Sequence, residues 1–249
     1  MLMQKKILIL NFILLCFLLY FLFNKKPITN EIKIKSDPVW VENFNSRNKK
    51  INKIYANIVV KCNNLSNYGT ICYEKKQNFR MILNFAFFKN LDIGSNQNFI
   101  WFWSKNIKPK ALYFCSYEDL HKTRLKKIFH PNIIKKILGI ETLQNYQIKI
   151  NEFDIEVIEN LENELTKKTI LNQNGIKEIF IYEKGIEILR VKNIEFEKIQ
   201  EFIIPKTIQV YWIQENVKSE WRLENIQLNN NYQDFTMPDY RPKINISNY

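Results

Sequence analysis

Along residues 79–88 (FRMILNFAFF) every second position is a large apolar residue, whereas the positions between them are mixed and include Arg80 and Asn84. This period of two predicts a β-strand that buries one face fully and the other partly. A polar stretch at 94–98 then separates two apolar runs, and Gly, Ser and Asn are the residue types that tight reversals favour. Residues 91–103 (LDIGSNQNFIWFW) therefore predict a β-hairpin, and residues 111–115 (ALYFC) predict a further short strand. Together these segments predict an antiparallel sheet with an unusually aromatic surface.

The same alternation predicts a second hairpin before this one and two helices after it. Residues 54–62 alternate, and residues 70–74 return as their partner after a polar turn at 63–69. A helix from about residue 36 to Lys49 precedes them, because Ser, Asp and Pro favour helix starts. Downstream, we expect helices at 116–127, after a loose capping signal, and from Pro131 to Gly139, where glycine suits the end of a helix.

The C-terminal part of the sequence, from residue 148 onward, predicts a meander of closely spaced strands. Turn signals at 172–175, 183–185 and 214–217 separate them. The predicted strands are Phe153 to Glu159, Leu165 to Leu171, Glu178 to Tyr182, Gly185 to Lys192, Lys206 to Ile213 and Lys218 to Leu228. The fold class is therefore α+β and mainly β, with one continuous antiparallel sheet.

An apolar run at the N-terminus, residues 7–23, is flanked by lysines and is not followed by a small-residue cleavage site. We interpret residues 1–26 as an uncleaved signal anchor that spans the membrane once, residues 27–38 as a linker, and residues 39–249 as the folded domain. Cys16 lies within the run, which only Asn11 interrupts, and is a possible lipidation site, although leucines precede it where a lipobox has small residues. The alternative is a cysteine buried in the membrane.

Composition excludes several functions. The net charge is +12, but lysines are scattered along the chain, so a basic surface facing anionic lipid head groups explains the charge better than nucleic-acid binding. Five glycines form no phosphate-binding pattern, and no Cys or His spacing matches a metal site. With two histidines and no nucleophile motif, we expect no catalytic residue, no cofactor and no metal, and hence no enzyme.

Cys62 and Cys72 lie symmetrically about Asn67, the middle of the predicted turn at 63–69. If the two cysteines faced each other across this hairpin, they could form a disulfide in an oxidising periplasm. The alternative is that both are small packed hydrophobic residues.

The aromatic hairpins also carry a family resemblance. The order Asn78-Phe79-Arg80, Asp92-Ile93-Gly94-Ser95-Asn96 and Phe99-Ile100-Trp101-Phe102-Trp103 resembles the sheet core of the LolA-like lipoprotein-carrier superfamily, and within it a branch of planctomycete-type bacteria. Residues 111–115, 131–139 and 235–238 also fit that branch. The resemblance implies a strongly curved half-barrel sheet with a few helices over its concave face. It also implies export, with the domain outside the bacterial cytoplasmic membrane and facing the periplasm.

A curved sheet with an apolar concave face can bind acyl chains without catalytic groups. The expected partners are membrane lipids or lipoprotein acyl chains, bound by a monomer. The candidate groove residues are Phe79, Met81, Leu83, Phe85, Phe99, Trp101 and Trp103. Arg80 could hold a head group at the groove edge, or form a structural salt bridge. Lys76 stands where the family often has proline. The alternative function is an envelope structural or protein-interaction domain whose half-barrel is filled by its own side chains.

Overall fold

The computed structural model describes residues 39–63, 65–75, 78–85, 88–120, 131–150, 154–161, 165–172, 174–230 and 235–247. These residues form two helices and fourteen strands. The elements are α1 (Val39–Lys50), β1 (Lys53–Cys62), β2 (Leu65–Glu74), β3 (Asn78–Phe85), β4 (Phe88–Ser95), β5 (Phe99–Ser104), β6 (Leu112–Ser116), α2 (Pro131–Ile137), β7 (Tyr146–Ile150), β8 (Ile155–Asn160), β9 (Leu165–Asn172), β10 (Gly175–Glu183), β11 (Ile186–Ile199), β12 (Phe202–Trp212), β13 (Val217–Leu228) and β14 (Lys243–Asn245).

All fourteen strands belong to one curved, open sheet in the order β14-β6-β5-β4-β3-β2-β1-β13-β12-β11-β10-β9-β8-β7. Two meanders, β1 to β6 and β7 to β13, are joined where β1 pairs with β13. Every neighbouring pair is antiparallel except β14 and β6, which run parallel. The predicted α+β, mainly β architecture with a curved antiparallel sheet is therefore confirmed.

Helix α1 packs on the concave face through one side, because Val41, Phe44 and Asn48 recur at helical spacing and are buried. Asn48 Nδ2 donates to the carbonyl oxygens of Gly139 (3.1 Å) and Glu141 (2.8 Å). These hydrogen bonds tie α1 to the segment that follows α2. The predicted helix start before Val39 lies outside the described residues.

Helix α2 begins at Pro131 and is closed by Gly139, as predicted, and Gly139 has a positive φ of +66°. A Cβ at position 139 would lie 3.0 Å from Cγ of Pro205, so glycine serves both the backbone conformation and the close packing on β12. The helix predicted at 116–127 is described only as far as Leu120, where the chain forms a turn.

The β1–β2 hairpin differs from the prediction in register. Cys62 lies opposite Leu65, and Cys72 lies opposite Tyr55, so the chain reverses between Cys62 and Leu65 and β2 begins five residues earlier than expected. Cys62 and Cys72 are therefore seven residues apart along the ladder, and both are free thiols. The predicted Cys62–Cys72 disulfide is wrong, because the hairpin reverses between Cys62 and Leu65 and not about Asn67.

The strand predicted at 79–88 ends at Phe85, and Phe88 already belongs to β4. The hairpin at 91–103 and the strand at 111–115 are confirmed, as are the six strands predicted in the C-terminal meander, with β11 longer than expected. The meander has a seventh strand, β7, which was not predicted. No helix among the described residues is long and apolar enough to cross a membrane. The predicted anchor at 1–26, with Cys16, and the linker at 27–38 lie outside the described residues.

Candidate functional site

The centre of the concave face is filled by side chains of the sheet and of both helices. Phe79, Met81 and Leu83 of β3 belong to this core, with exposures of 0%, 4% and 5%. Ile134, Ile137 and Leu138 reach it from α2 and the residue after it. These three predicted groove residues therefore contact other side chains of the core. Their contact with a ligand stays a prediction.

Strand register separates the predicted groove residues onto two faces of the sheet. Met81 lies opposite Ile93, which lies opposite Phe102, and these side chains share the concave face. One position along, Gly94 lies opposite Trp101, and this pair shares the convex face. Phe99 and Trp103 alternate with Phe102 in β5 and also point to the convex face. The prediction that all seven residues line one groove is therefore wrong.

The convex face holds a buried ion pair in place of a groove. Arg80 Nε and Nη2 donate to Oδ1 (3.2 Å) and Oδ2 (3.0 Å) of Asp92, whose side chain is fully buried. Trp101 Nε1 donates to Oδ1 at 3.5 Å, and the Tyr240 hydroxyl donates to Oδ2 at 3.3 Å. Arg80 is thus part of a structural salt bridge, the alternative that the sequence left open.

The C-terminal tail covers this ion pair. The ring of Tyr240 lies 5.0 Å from that of Trp103, centroid to centroid, and β14 pairs with β6. The tail therefore packs on the sheet. Phe85, the remaining predicted groove residue, is 52% exposed at the end of β3.

A cleft of about 570 Å³ opens between α1 and the end of the β9–β10 hairpin. Its floor is apolar, because Phe44 and Leu171 are buried, and Trp40 stands half-exposed at its edge. Arg47 and Lys50 give the rim positive charge. The residues that line it are Trp40, Asn43, Phe44, Ser46, Arg47, Lys50, Leu171, Asn172 and Gly175. Its volume is typical of a small-molecule site.

A cluster of buried charges lies elsewhere on the concave face. Lys167 Nζ lies 2.9 Å from Glu141 Oε2 and also pairs with Glu159, and all three side chains are at most 4% exposed. Lys136 Nζ lies 3.9 Å from Glu141 Oε2. Burial lowers the pKa of Lys136, whereas it raises that of Tyr73 to about 12, with the charge of Glu141 adding to the rise.

These charges were missed by sequence reasoning although a signal was present. In β8, Glu159 occupies the next buried position after Ile155 and Val157. In β9, Lys167 occupies a buried position on the same face as Thr169 and Leu171. Opposite charges at buried positions of adjacent predicted strands indicate an internal ion pair. Among the described residues, no group of His, Cys, Asp and Glu is arranged to hold a metal ion. Both histidines lie outside the described residues.

Comparison with known proteins identifies the fold. No family model and no curated protein sequence matches the chain. Among solved structures, a domain from Vibrio parahaemolyticus named for outer membrane lipoprotein sorting has a TM-score of 0.52 at 9% identity, covering 78% of this chain and 92% of its own. A DUF1329 family protein from Desulfovibrio piger has a TM-score of 0.51 at 10% identity, covering 80% and 96%.

A third solved structure, a LolA superfamily protein from Nitrosomonas europaea, has a TM-score of 0.48 at 10% identity, covering 76% of this chain and 94% of its own. At such identities the likeness concerns the fold and not the activity. None of the three distinguishes the planctomycete branch. The curved open sheet, the helices on its concave face and the first two structures together show that this chain has the fold of the LolA-like lipoprotein-sorting domains.

Proposed function

We propose that this chain is a membrane-anchored envelope protein that faces the periplasm and binds the acyl chains of lipids or lipoproteins without catalysing a reaction. The observation that carries this proposal is the cleft beside α1, whose apolar floor and basic rim match a ligand with an acyl tail and an anionic head group. Burial of each methylene group is worth about 0.8 kcal/mol, so one acyl chain in such a cleft would bind with useful affinity.

The rim supports the head-group part of the proposal. Arg47 and Lys50 follow each other at helical spacing on α1, and Lys50 already makes an exposed ion pair with Glu201 at 3.1 Å. An anionic head group would compete with this solvent-exposed glutamate at little cost, because exposed ion pairs are weak. In this proposal the cleft replaces the predicted aromatic groove as the binding place, and Arg47 takes the head-group role that was one of two alternatives for Arg80.

The second candidate function is an envelope domain that binds a protein partner and no lipid. It is favoured by the filled core, since Phe79, Met81 and Leu83 are buried and packed against other side chains of the core. The two candidates differ in what the cleft holds. Under either one the chain would act as a monomer, with no role for nucleic acid.

Photo-crosslinking of the full chain with a diazirine-bearing palmitate would test the proposal. We expect crosslinks in the peptides that contain α1 and residues 165–175. Ser46→Trp, which fills the cleft from an exposed position, should reduce them about tenfold. Gln227→Trp adds the same bulk at an exposed position of β13 and should leave them unchanged.

Crosslinks that are spread evenly over the chain, or that survive Ser46→Trp undiminished, would contradict acyl binding in this cleft. The protein-interaction reading would then be favoured. Thermal unfolding of both variants must match that of the wild type, so that lost crosslinking is not lost folding.

A further inference from the structure

Antiparallel pairing brings five chain reversals side by side at one end of the sheet. They join β5 to β6, β3 to β4, β1 to β2, β12 to β13 and β10 to β11, and the sheet order makes them consecutive neighbours. We call this row of reversals the tip row. The cleft beside α1 lies at the other end of the strands, where β9 ends and β10 begins.

Each reversal of the tip row carries a large apolar side chain that is exposed to solvent. Ile186 is 65% exposed, Leu65 57% and Phe85 52%, and none of these has an obvious role in the core. The exposed apolar residues of the row are Leu65, Phe85, Ile107, Ile186, Ile213 and Val217. An apolar residue on the surface is ordinary when it is alone, but six along one edge indicate an interaction surface.

The opposite end of the same sheet provides the comparison. The β4–β5 and β11–β12 reversals at that end, residues 96–98 and 200–201, carry amides and a glutamate, and β13 is followed there by Asn229 and Asn230. None of the large hydrophobic residues found exposed lies in those segments. These segments therefore differ in chemistry from the tip row, and the half-exposed Trp40 at their end of the sheet belongs to the cleft beside α1. A general excess of isoleucine in the chain does not account for this asymmetry.

The tip row is also basic. Residues 61–65, 104–111, 183–186 and 213–218 contain six lysines and two glutamates. The lysines are Lys61, Lys105, Lys108, Lys110, Lys184 and Lys218, and each of them is exposed. The next reversal, between β8 and β9, lies partly outside the described residues and has Glu162 and Glu164 in its sequence. The positive charge thus coincides with the exposed apolar residues.

We propose that the tip row docks onto the surface of a bilayer that contains anionic lipid. Apolar side chains on short reversals can enter the interfacial region of the bilayer, while lysines beside them contact anionic head groups. Both contributions are needed, because a single shallow apolar contact gives weak binding. This inference does not depend on the proposed acyl-binding cleft, which involves other residues at the other end of the strands.

Lysine footprinting on the full chain tests the docking. The protein is reconstituted into vesicles of phosphatidylcholine alone or of phosphatidylcholine mixed with phosphatidylglycerol. It is then acetylated briefly with a water-soluble reagent, and each lysine is quantified by mass spectrometry. We expect Lys61, Lys184 and Lys218 to react about fivefold more slowly in the anionic vesicles. Lys192 and Lys198, exposed positions of β11 away from the tip row, are the internal controls and should not change.

Two variants separate docking from general electrostatic attraction. Ile186→Ser with Ile213→Ser removes apolar side chains from the tip row and should abolish the protection. Ile194→Ser removes an exposed isoleucine from β11, away from the row, and should retain it. High salt should weaken the protection of the wild type. All of these substitutions are at exposed positions, so we expect unchanged folding.

Equal reaction of tip-row lysines in both kinds of vesicle would overturn the proposal. So would protection that persists in phosphatidylcholine and increases with the ratio of protein to lipid, because it would indicate contact with a second copy of the chain. Protection that survives loss of Ile186 and Ile213 would also contradict insertion of the apolar tips.

Discussion

Gly94 lies directly opposite Trp101 in the β4–β5 hairpin, and the indole ring covers the place where a Cβ would be. A Cβ at position 94 would lie 2.2 Å from Cζ2 and 2.5 Å from Cε2 of Trp101, and 3.0 Å from the carbonyl oxygen of Phe79. Trp101 is fully buried and cannot move away. The absent side chain of Gly94 thus makes the space for a buried tryptophan on the convex face.

Gly94→Ala should therefore destabilise the protein by about 1–3 kcal/mol through overpacking. Chemical denaturation measures the change. Trp101→Leu destabilises too, because it leaves a cavity, but in that background Gly94→Ala should cost much less. Equal costs in both backgrounds would mean that Trp101 is not what excludes a side chain at position 94.

Asp92→Asn should cost about 3–5 kcal/mol of unfolding free energy, because it leaves the Arg80 guanidinium, 12% exposed, without its carboxylate. Glu201→Gln, which removes the carboxylate of the exposed pair with Lys50, is the matched control and should have little effect. If the two variants were equally stable, the convex-face ion pair would not be a structural element.

Lys167→Met should destabilise the protein by a similar amount, about 3–5 kcal/mol, because Glu141 and Glu159 would remain buried without their shared cation. The neighbouring Lys168→Met removes a lysine that is 29% exposed and should cost far less. Adding Glu141→Gln and Glu159→Leu to Lys167→Met should recover most of the loss. No recovery would show that Lys167 contributes by packing and not by charge.

The thiol of Cys72 should react slowly with iodoacetamide. Burial raises its pKa to about 11, and the nearby Arg80 charge lowers it only partly. At pH 8 about one molecule in a thousand would carry the thiolate, which is the reactive form. Because the fraction of thiolate rises about tenfold for each pH unit below the pKa, the rate should rise steadily from pH 8 toward pH 11. Peptide mapping measures the rate at each pH.

The raised pKa of Cys72 also makes the stability of the folded state depend on pH. The thiol has a pKa of 9.0 without burial, so it favours the folded state fully below about pH 9 and loses this contribution as the pH rises toward 11. Cys72→Ala should therefore lose less stability than the wild type between pH 9 and 11.

The same peptide mapping under non-reducing conditions should find no link between Cys62 and Cys72. A reaction rate that is flat above pH 8 would contradict the buried thiol.

Strand positions could be predicted because alternation and turn residues are local properties of the chain. Register could not, and Gly69 shows why. In the sequence it indicates a turn, but in the sheet it lies within β2, where a Cβ would be 1.7 Å from the carbonyl oxygen of Ile82. Gly69 permits a close approach of two strands. Nothing local distinguishes this use of glycine from a turn, so the hairpin was predicted with the wrong register.

The division of the aromatic residues between two faces was equally hidden. Alternation places Phe79 on the same face as Met81, and Phe99 on the same face as Trp101. It does not tell whether these two pairs lie on the same face of the sheet. That relation depends on the length of the turns between β3, β4 and β5. The cleft depends on contacts between α1 and a hairpin more than a hundred residues later, for which the sequence carries no local signal.

The contact between Tyr240 and Asp92 joins residues 148 positions apart, and it has a consequence for synthesis of the chain. A ribosome completes β3, β4 and β5 long before it adds the residues that cover them. Until then the nascent chain presents Trp101, Trp103 and a charged pair to the surroundings. This face therefore receives its cover only when the chain is almost complete, and a protein that lost its last ten residues would lack the Tyr240 ring and hydroxyl over Trp103 and Asp92.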